Sequence, residues 1–168
     1  YSYLKSKNAE CIYYIPDRIT EGYGMNKGAV DKLKKLGTEL IVTVDNGIAS
    51  AEEITYAETL GIGVVVTDHH LPQGDLPSAL AVVDPHREDC PSLFKEICGA
   101  QVAFKLMCVM ENKQQEELLP YYADILSVAV TADVMPLVYE NRSVVKCGIE
   151  KLKKSPSVGL SAIMNVAA

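Results

Sequence analysis

The stretch VVVTDHHLP (64–72) sets His69 and His70 side by side behind Asp68, at the end of a valine run. Imidazoles and carboxylates bind divalent transition metals, and imidazole exchanges protons near neutral pH. Two more aspartates follow apolar runs in the same way: Asp45 after LIVTV (40–44) and Asp84 after ALAVV (79–83). Carboxylates crowded at one edge repel one another unless a cation neutralises them. A divalent metal is the economical occupant. Mixed oxygen and imidazole ligation suits manganese, with magnesium less at home beside histidine. Taken singly, each aspartate also reads as a cap or turn residue, and Asp84 precedes a proline. Neighbouring strand residues point to opposite faces, so His69 and His70 can serve one site only if the backbone turns there. Leu71-Pro72 supplies that break. His86, in the polar run DPHRED (84–89), reads as a surface residue.

Other candidates carry less chemistry. EGYGMNKG (21–28) is glycine-rich but lacks the Lys-Ser/Thr ending of a phosphate-binding loop and the dinucleotide spacing, so it reads as a turn. Arg18 has forked donors that could hold a phosphate, or it is a solvated charge. The five cysteines form no Cys-x-x-Cys and are odd in number, which predicts reduced residues in apolar surroundings rather than disulfides or zinc ligands.

The elements that must position these groups follow from the apolar pattern. CIYYI (11–15), LIVTV (40–44), the valine run and ALAVV read as strands. Asn26 can cap a helix with Ala29, Val30, Leu33 and Leu36 on one face, ended by Gly37. Ser50-Ala-Glu-Glu53 has the form of a capping box, and its helix ends at Gly61. This alternation implies a parallel sheet whose carboxyl ends share one rim, the edge where open α/β sheets bind ligands. GAQVAFKLMCVM (99–110) and PYYADILSVAVTAD (120–133) read as helices, the second with Pro120 in its first turn. A last helix follows Asn141 and continues past Lys154.

With 168 residues, 48% hydrophobic, the chain is long enough for one domain with its own core. No apolar run approaches the roughly 20 residues that span a bilayer, and residues 1–10 lack the apolar centre of a signal peptide. These features predict a soluble, cytoplasmic protein with no membrane partner. The net charge of −6 runs against nonspecific nucleic-acid binding, although carboxylates around a metal count toward it while neutralised in use.

The motifs taken together resemble the DHH phosphoesterases, and within them the RecJ-like single-strand-specific exonucleases. The resemblance rests on TDHH (67–70), VDNGI (44–48), ICGAQVAFKL (97–106), TADVMPLVYENR (131–142) and YYIPDRITEGYGMN (13–26), in order along nearly the whole chain. It implies an α/β fold with a mostly parallel, Rossmann-like sheet and helices on both faces, followed by a helical segment. It also implies a site for two ions, Mn2+ or Mg2+, with Asp45, His69 and Asp133 as metal ligands. Asp68 and His70 would be catalytic, with His70 facing the scissile phosphate, and Arg18 and Arg142 would bind substrate phosphate. The implied activity is metal-dependent 5′-to-3′ hydrolysis of single-stranded DNA, with single-strand-binding protein and helicase as partners. The alternatives are a DHH phosphoesterase of short oligonucleotides, cyclic dinucleotides or pyrophosphate, and a non-catalytic scaffold. DHH enzymes open with an Asp-x-Asp motif, which this chain lacks. The expectation is therefore a truncated core domain over 1–140, with 141–168 the start of an interdomain connecting helix and tail. Such a fragment is expected to bind metal weakly and to have negligible nuclease activity.

Overall fold

A computed structural model describes residues 1–167. Three strands, β1 (Leu40–Val42), β2 (Gly63–Thr67) and β3 (Ala81–Val83), form an all-parallel sheet in the order β1-β2-β3. Leu40 pairs with Gly63, and Thr67 pairs with Val83. The valine run is the central strand, as its composition requires: β-branched side chains suit a pleated surface covered by other elements. Val64 and Val66 are completely buried against Val30, Ile54, Ala57 and Ile62. Those residues come largely from α2 (Lys27–Lys35) and α3 (Ala51–Thr59). Asn26 caps α2, its Oδ1 accepting the Ala29 N–H at 2.7 Å, and Gly37 leaves the helix at φ +80°. The capping box expected for α3 does not form. Ser50 sits at φ −102°, ψ 41°, away from the extended geometry that aims a cap side chain at the first turn, and makes no cap bond.

The expected strand over 11–15 is also absent. After α1 (Ser2–Ser6), residues 10–16 run without strand pairing, with Ile12, Tyr13 and Ile15 exposed. A strand forms only by sharing backbone hydrogen bonds with a neighbour. Here the segment and the outer edge of β1 both line a cleft of about 890 Å³ and do not pair. Propensity alone does not close that gap.

Four helices complete the described residues: α4 (Gly99–Glu111), α5 (Gln115–Ala132), α6 (Tyr139–Lys154) and α7 (Val158–Ala167). α4 reaches β2, and α4, α5 and α6 build a second core around Phe104, Cys108, Leu118, Leu126, Val130 and Val144. α5 starts five residues earlier than expected. Glu117 reaches back to accept the Gln114 N–H at 2.9 Å, so the helix begins there and Pro120 lies inside it rather than at its start. α6 begins at Tyr139, before Asn141, and stops at Lys154 instead of continuing. Pro156 disfavours helical backbone at Ser155. All five cysteines are free; Cys98 and Cys108 are buried, Cys11 and Cys90 partly so, and Cys147 is exposed. No helix among the described residues is long and apolar enough to cross a membrane.

Candidate metal centre

The strand register carries the chemistry to one rim. Thr67 pairs with Val83, so Asp68 and Asp84 follow at adjacent positions, and the Asp68 N–H donates to the Val83 carbonyl at 3.0 Å. On the other side the Asp45 N–H donates to the Thr67 carbonyl, also at 3.0 Å. Asp45, Asp68 and Asp84 thus stand in a row. The sheet edge implied by the sequence exists.

The row is not uniform, because each carboxylate meets different neighbours. Asp68 is buried, and both its oxygens are engaged: Oδ2 accepts the Ile48 N–H at 2.9 Å, and Oδ1 accepts the His69 N–H at 2.8 Å and lies 2.6 Å from His70 Nδ1. Burial pushes its pKa up, but the Ile48 N–H, the His70 ring and the His69 N–H outweigh that and hold it below the ordinary value. Asp68 therefore stays ionised and ties three things together: its own turn, the Asp45 turn through Ile48, and the His70 ring. Asp84 is the opposite case. It accepts the His86 N–H at 2.7 Å, its Oδ2 has no partner, and burial pushes its carboxyl above the usual range.

Asp45 turns the chain sharply, at φ +66°, a conformation that Asp tolerates better than most residues. Gly47 continues the turn at φ +113°, where an added Cβ would lie 2.8 Å from Thr43 Oγ1. The Tyr23 hydroxyl donates to the Asp45 carbonyl at 3.0 Å, and Gly99, the first residue of α4, packs directly on the Asp45 backbone. Asp133 arrives from elsewhere, at the end of α5, and is followed by Val134 at φ +54°. Left-handed backbone at a β-branched residue is a true outlier of the kind that collects at functional sites.

His69 joins the two. Its Nε2 lies 3.0 Å from Asp45 Oδ1 and 3.2 Å from Asp133 Oδ2. All three atoms are buried, and none has a hydrogen-bond partner of acceptable geometry. His69 Nε2 thus stands about 3 Å from each of two carboxylate oxygens, the spacing of neighbouring donors around one divalent ion with bonds of roughly 2.1 Å. Orphaned buried polar atoms of matching chemistry are what a cation satisfies. Contact with Asp45 pushes the His69 pKa up, against the opposing effect of burial, and the Asp133 charge adds to the rise. In the metal-free protein a proton on Nε2 thus serves where a cation fits. Asp45, Asp68, His69 and His70 also each offer a ligand atom within 4.8 Å of the others.

This geometry accompanies a clear relationship to known proteins. Residues 1–130 match the DHH family, N-terminal domain. The chain belongs to the DHH family. This DHH chain is 39% identical over 164 residues to the single-stranded-DNA-specific exonuclease RecJ of Bacillus subtilis, covering 98% of this chain and 20% of the relative. Against RecJ of Escherichia coli the identity is 36%, over 92% of this chain and 29% of the relative. It superposes on a crystal structure of exonuclease RecJ bound to manganese with a TM-score of 0.84 and 34% identity, covering 98% of this chain and 42% of that one. With RecJ in complex with Mn2+ from Thermus thermophilus the TM-score is 0.76 at 31% identity, over 98% of this chain and 23% of that one. The DHH chain thus spans less than half the length of each of these proteins.

Of the residues singled out in the DHH chain's sequence, Asp45, Asp68, His69, His70 and Asp133 come together. The rings of His69 and His70 lie 4.4 Å apart, so the backbone does turn as both serving one site requires. Arg18 reaches the rim indirectly: its guanidinium lies 5.7 Å from the Tyr23 ring, which stands edge-on to His70 at 6.3 Å. Arg142 is exposed on α6 and forms no ion pair among the described residues. Tyr23 and Gly99 were missed. Tyr23 sits in a run that reads as a turn, and Gly99 looks like any first-turn glycine until its neighbour is known.

Proposed function

We propose that this chain is the metal-binding core of a phosphodiesterase, and that the complete protein is a cytoplasmic 5′-to-3′ exonuclease acting on single-stranded DNA. The observation that carries the reading is the buried, unpartnered trio of Asp45 Oδ1, His69 Nε2 and Asp133 Oδ2. It is supported by the similarity to manganese-bound RecJ at 34% identity. Asp45, His69 and Asp133 would hold Mn2+, or Mg2+, with two ions in the complete site. When bound, the metal supplies Lewis acidity toward phosphate oxygens and acidifies water.

The chain's own residues do the rest. Asp68 fixes the His70 ring through Nδ1, so that Nε2 is left to exchange a proton at the phosphate being cut. Asp68 acts through His70 and not by touching substrate. Arg18, which lies over the Tyr23 ring, would grip a strand phosphate, and Arg142 would contact phosphate farther along. Single-strand-binding protein and a helicase are the partners that would present such a strand.

The test is Mn2+ titration followed by electron paramagnetic resonance, with Asp45→Ala, His69→Ala and His70→Ala as comparisons. The expected result is binding by the unaltered chain, loss of at least tenfold in affinity for the first two variants and near-normal affinity for His70→Ala. A signal indifferent to Asp45→Ala and His69→Ala would leave a non-catalytic scaffold as the better reading. For the complete protein, hydrolysis of long single strands in preference to dinucleotides, cyclic dinucleotides or pyrophosphate is expected; the reverse preference removes the exonuclease assignment.

A further inference from the structure

The two aspartates that face His69 belong to distant parts of the chain, and something must set their separation. Two buried amides stand where that job is done. Asn141, in the first turn of α6, has no exposed surface, and both its side-chain polar atoms have partners. Its Nδ2 donates to the Glu96 carbonyl at 2.6 Å and to the Pro136 carbonyl at 3.0 Å, and its Oδ1 accepts from Gln101 Nε2 at 2.9 Å. Gln101 is also buried, and its Oε1 accepts the Cys98 N–H at 3.1 Å. Burying two primary amides costs free energy that apolar side chains of the same volume would not, unless every donor and acceptor is met. Here both Asn141 donors, one Gln101 donor and the oxygen of each amide are met, by each other and by segments that border the metal centre. Cys98 and Gln101 belong to the start of α4, whose Gly99 lies against Asp45. Pro136 lies in the short turn between Asp133 and α6, a turn that includes the strained Val134.

We propose that the Gln101–Asn141 pair is a positioning clamp that sets the distance between Asp45 and Asp133 across His69. The clamp rests on the metal-centre reading for its purpose but not for its geometry. One end fixes the helix start that buttresses Asp45, the other holds the turn that carries Asp133, and the bond between the two amides closes the span. An Asp133 loop released from Pro136 relaxes away from left-handed backbone at Val134. The Lys105–Glu140 ion pair, 2.7 Å long, ties the same two helices without touching either the Asp45 buttress or the Asp133 turn, and so provides a control.

The experiment compares Gln101→Glu, Gln101→Met and Lys105→Ala in the full chain by Mn2+ affinity, thermal midpoint and hydrogen exchange at the Met135 and Val138 amides. Gln101→Glu keeps an acceptor for the Cys98 N–H and removes only the donor to Asn141; Gln101→Met fills the same volume without charge, should the buried carboxylate prevent folding. The expected result for the folded Gln101 variants is Mn2+ affinity weaker by about tenfold or more and faster exchange in the 133–138 turn, with neither change in Lys105→Ala. Wild-type affinity and exchange in the Gln101 variants would overturn the clamp, as would equal changes in Lys105→Ala, which would mean general helix packing. If the unaltered chain binds no Mn2+, the metal reading fails and the exchange rates alone decide the clamp: faster exchange confined to the Gln101 variants supports it, and unchanged exchange removes it.

Discussion

Replacing Gly99 by alanine tests how tightly the metal centre is built. In an ordinary first helical turn, Gly→Ala stabilises, because alanine restricts the unfolded chain and favours helix, a gain of about 0.4–1 kcal/mol. At Gly99 the added Cβ would lie 2.5 Å from Asp45 Cβ, 2.5 Å from Asp45 Oδ1 and 2.6 Å from Asp45 Cα. One of those atoms is backbone, so no rotamer change relieves the collision. Ordinary van der Waals contact begins near 3.4 Å, so α4 or the Asp45 turn must retreat by nearly 1 Å. Asp45 is already left-handed and held by the Thr67 carbonyl and the Tyr23 hydroxyl, which leaves it little freedom. Metal ligands work within about 0.2 Å of their ideal distances. The expected outcome is destabilisation by about 1–3 kcal/mol, typical of overpacking, together with Mn2+ affinity reduced by roughly 10- to 100-fold. Thermal unfolding by circular dichroism gives the first quantity, and titration followed by electron paramagnetic resonance gives the second. A Gly99→Ala protein as stable as the parent, with unchanged Mn2+ affinity, would refute the claim that α4 buttresses Asp45.

Three further expectations follow from the same geometry. Because Asp45 and Asp133 raise the His69 pKa, the protonated ring stabilises the metal-free fold fully below the unfolded value of about 6.5, and that contribution is lost as pH rises through the folded value; conversely a metal must displace the proton, so Mn2+ affinity measured by calorimetry should climb by up to tenfold per pH unit below the folded pKa, and an affinity flat with pH there would remove His69 from the ligand set. Asp68→Ala strands the buried Ile48 N–H and frees His70, and should cost about 1–3 kcal/mol in urea unfolding; a change under 0.5 kcal/mol would show that the turn holds itself. The outer edge of β1 is unpaired among the described residues, with Leu40, Val42 and Val44 exposed, so the chain should self-associate at high concentration, and Val42→Lys should reduce this in light scattering; a strictly monomeric parent would contradict it.

The sheet rim was legible because two local rules agree there. Valine runs imply a covered parallel strand, and parallel strands deliver their ends to one side, so Asp45, Asp68 and Asp84 could be placed in a row from their neighbours alone. What lay beyond local rules was lost. Asp133 is only a helix-end residue in the sequence; its meeting with His69 depends on how α5 packs, and only the family resemblance pointed to it. CIYYI has every property of a strand except a partner within reach. Pro120 suggests a helix start, but Glu117 bonding back to Gln114 starts the helix sooner. Gly99 and Gln101 have meaning only through what they touch.

Crowding three aspartates on one rim poses an electrostatic problem, and the protein answers it in three ways. Asp68 keeps its charge because N–H donors and an imidazole surround it. Asp84 is moved toward its neutral form by burial, which lessens its repulsion of Asp68. Asp45 has neither device: Oδ1 is buried, has no hydrogen-bond partner and faces His69, as Asp133 does from the other side. The first two answers are complete within the chain and would serve a purely structural rim as well. The third is complete only while Nε2 of His69 holds a proton, and a proton is lost with rising pH whereas a divalent cation is bound more tightly. The part of the rim left unfinished once that proton is lost is therefore the part that suits a cation, with a carboxylate on either side of one imidazole.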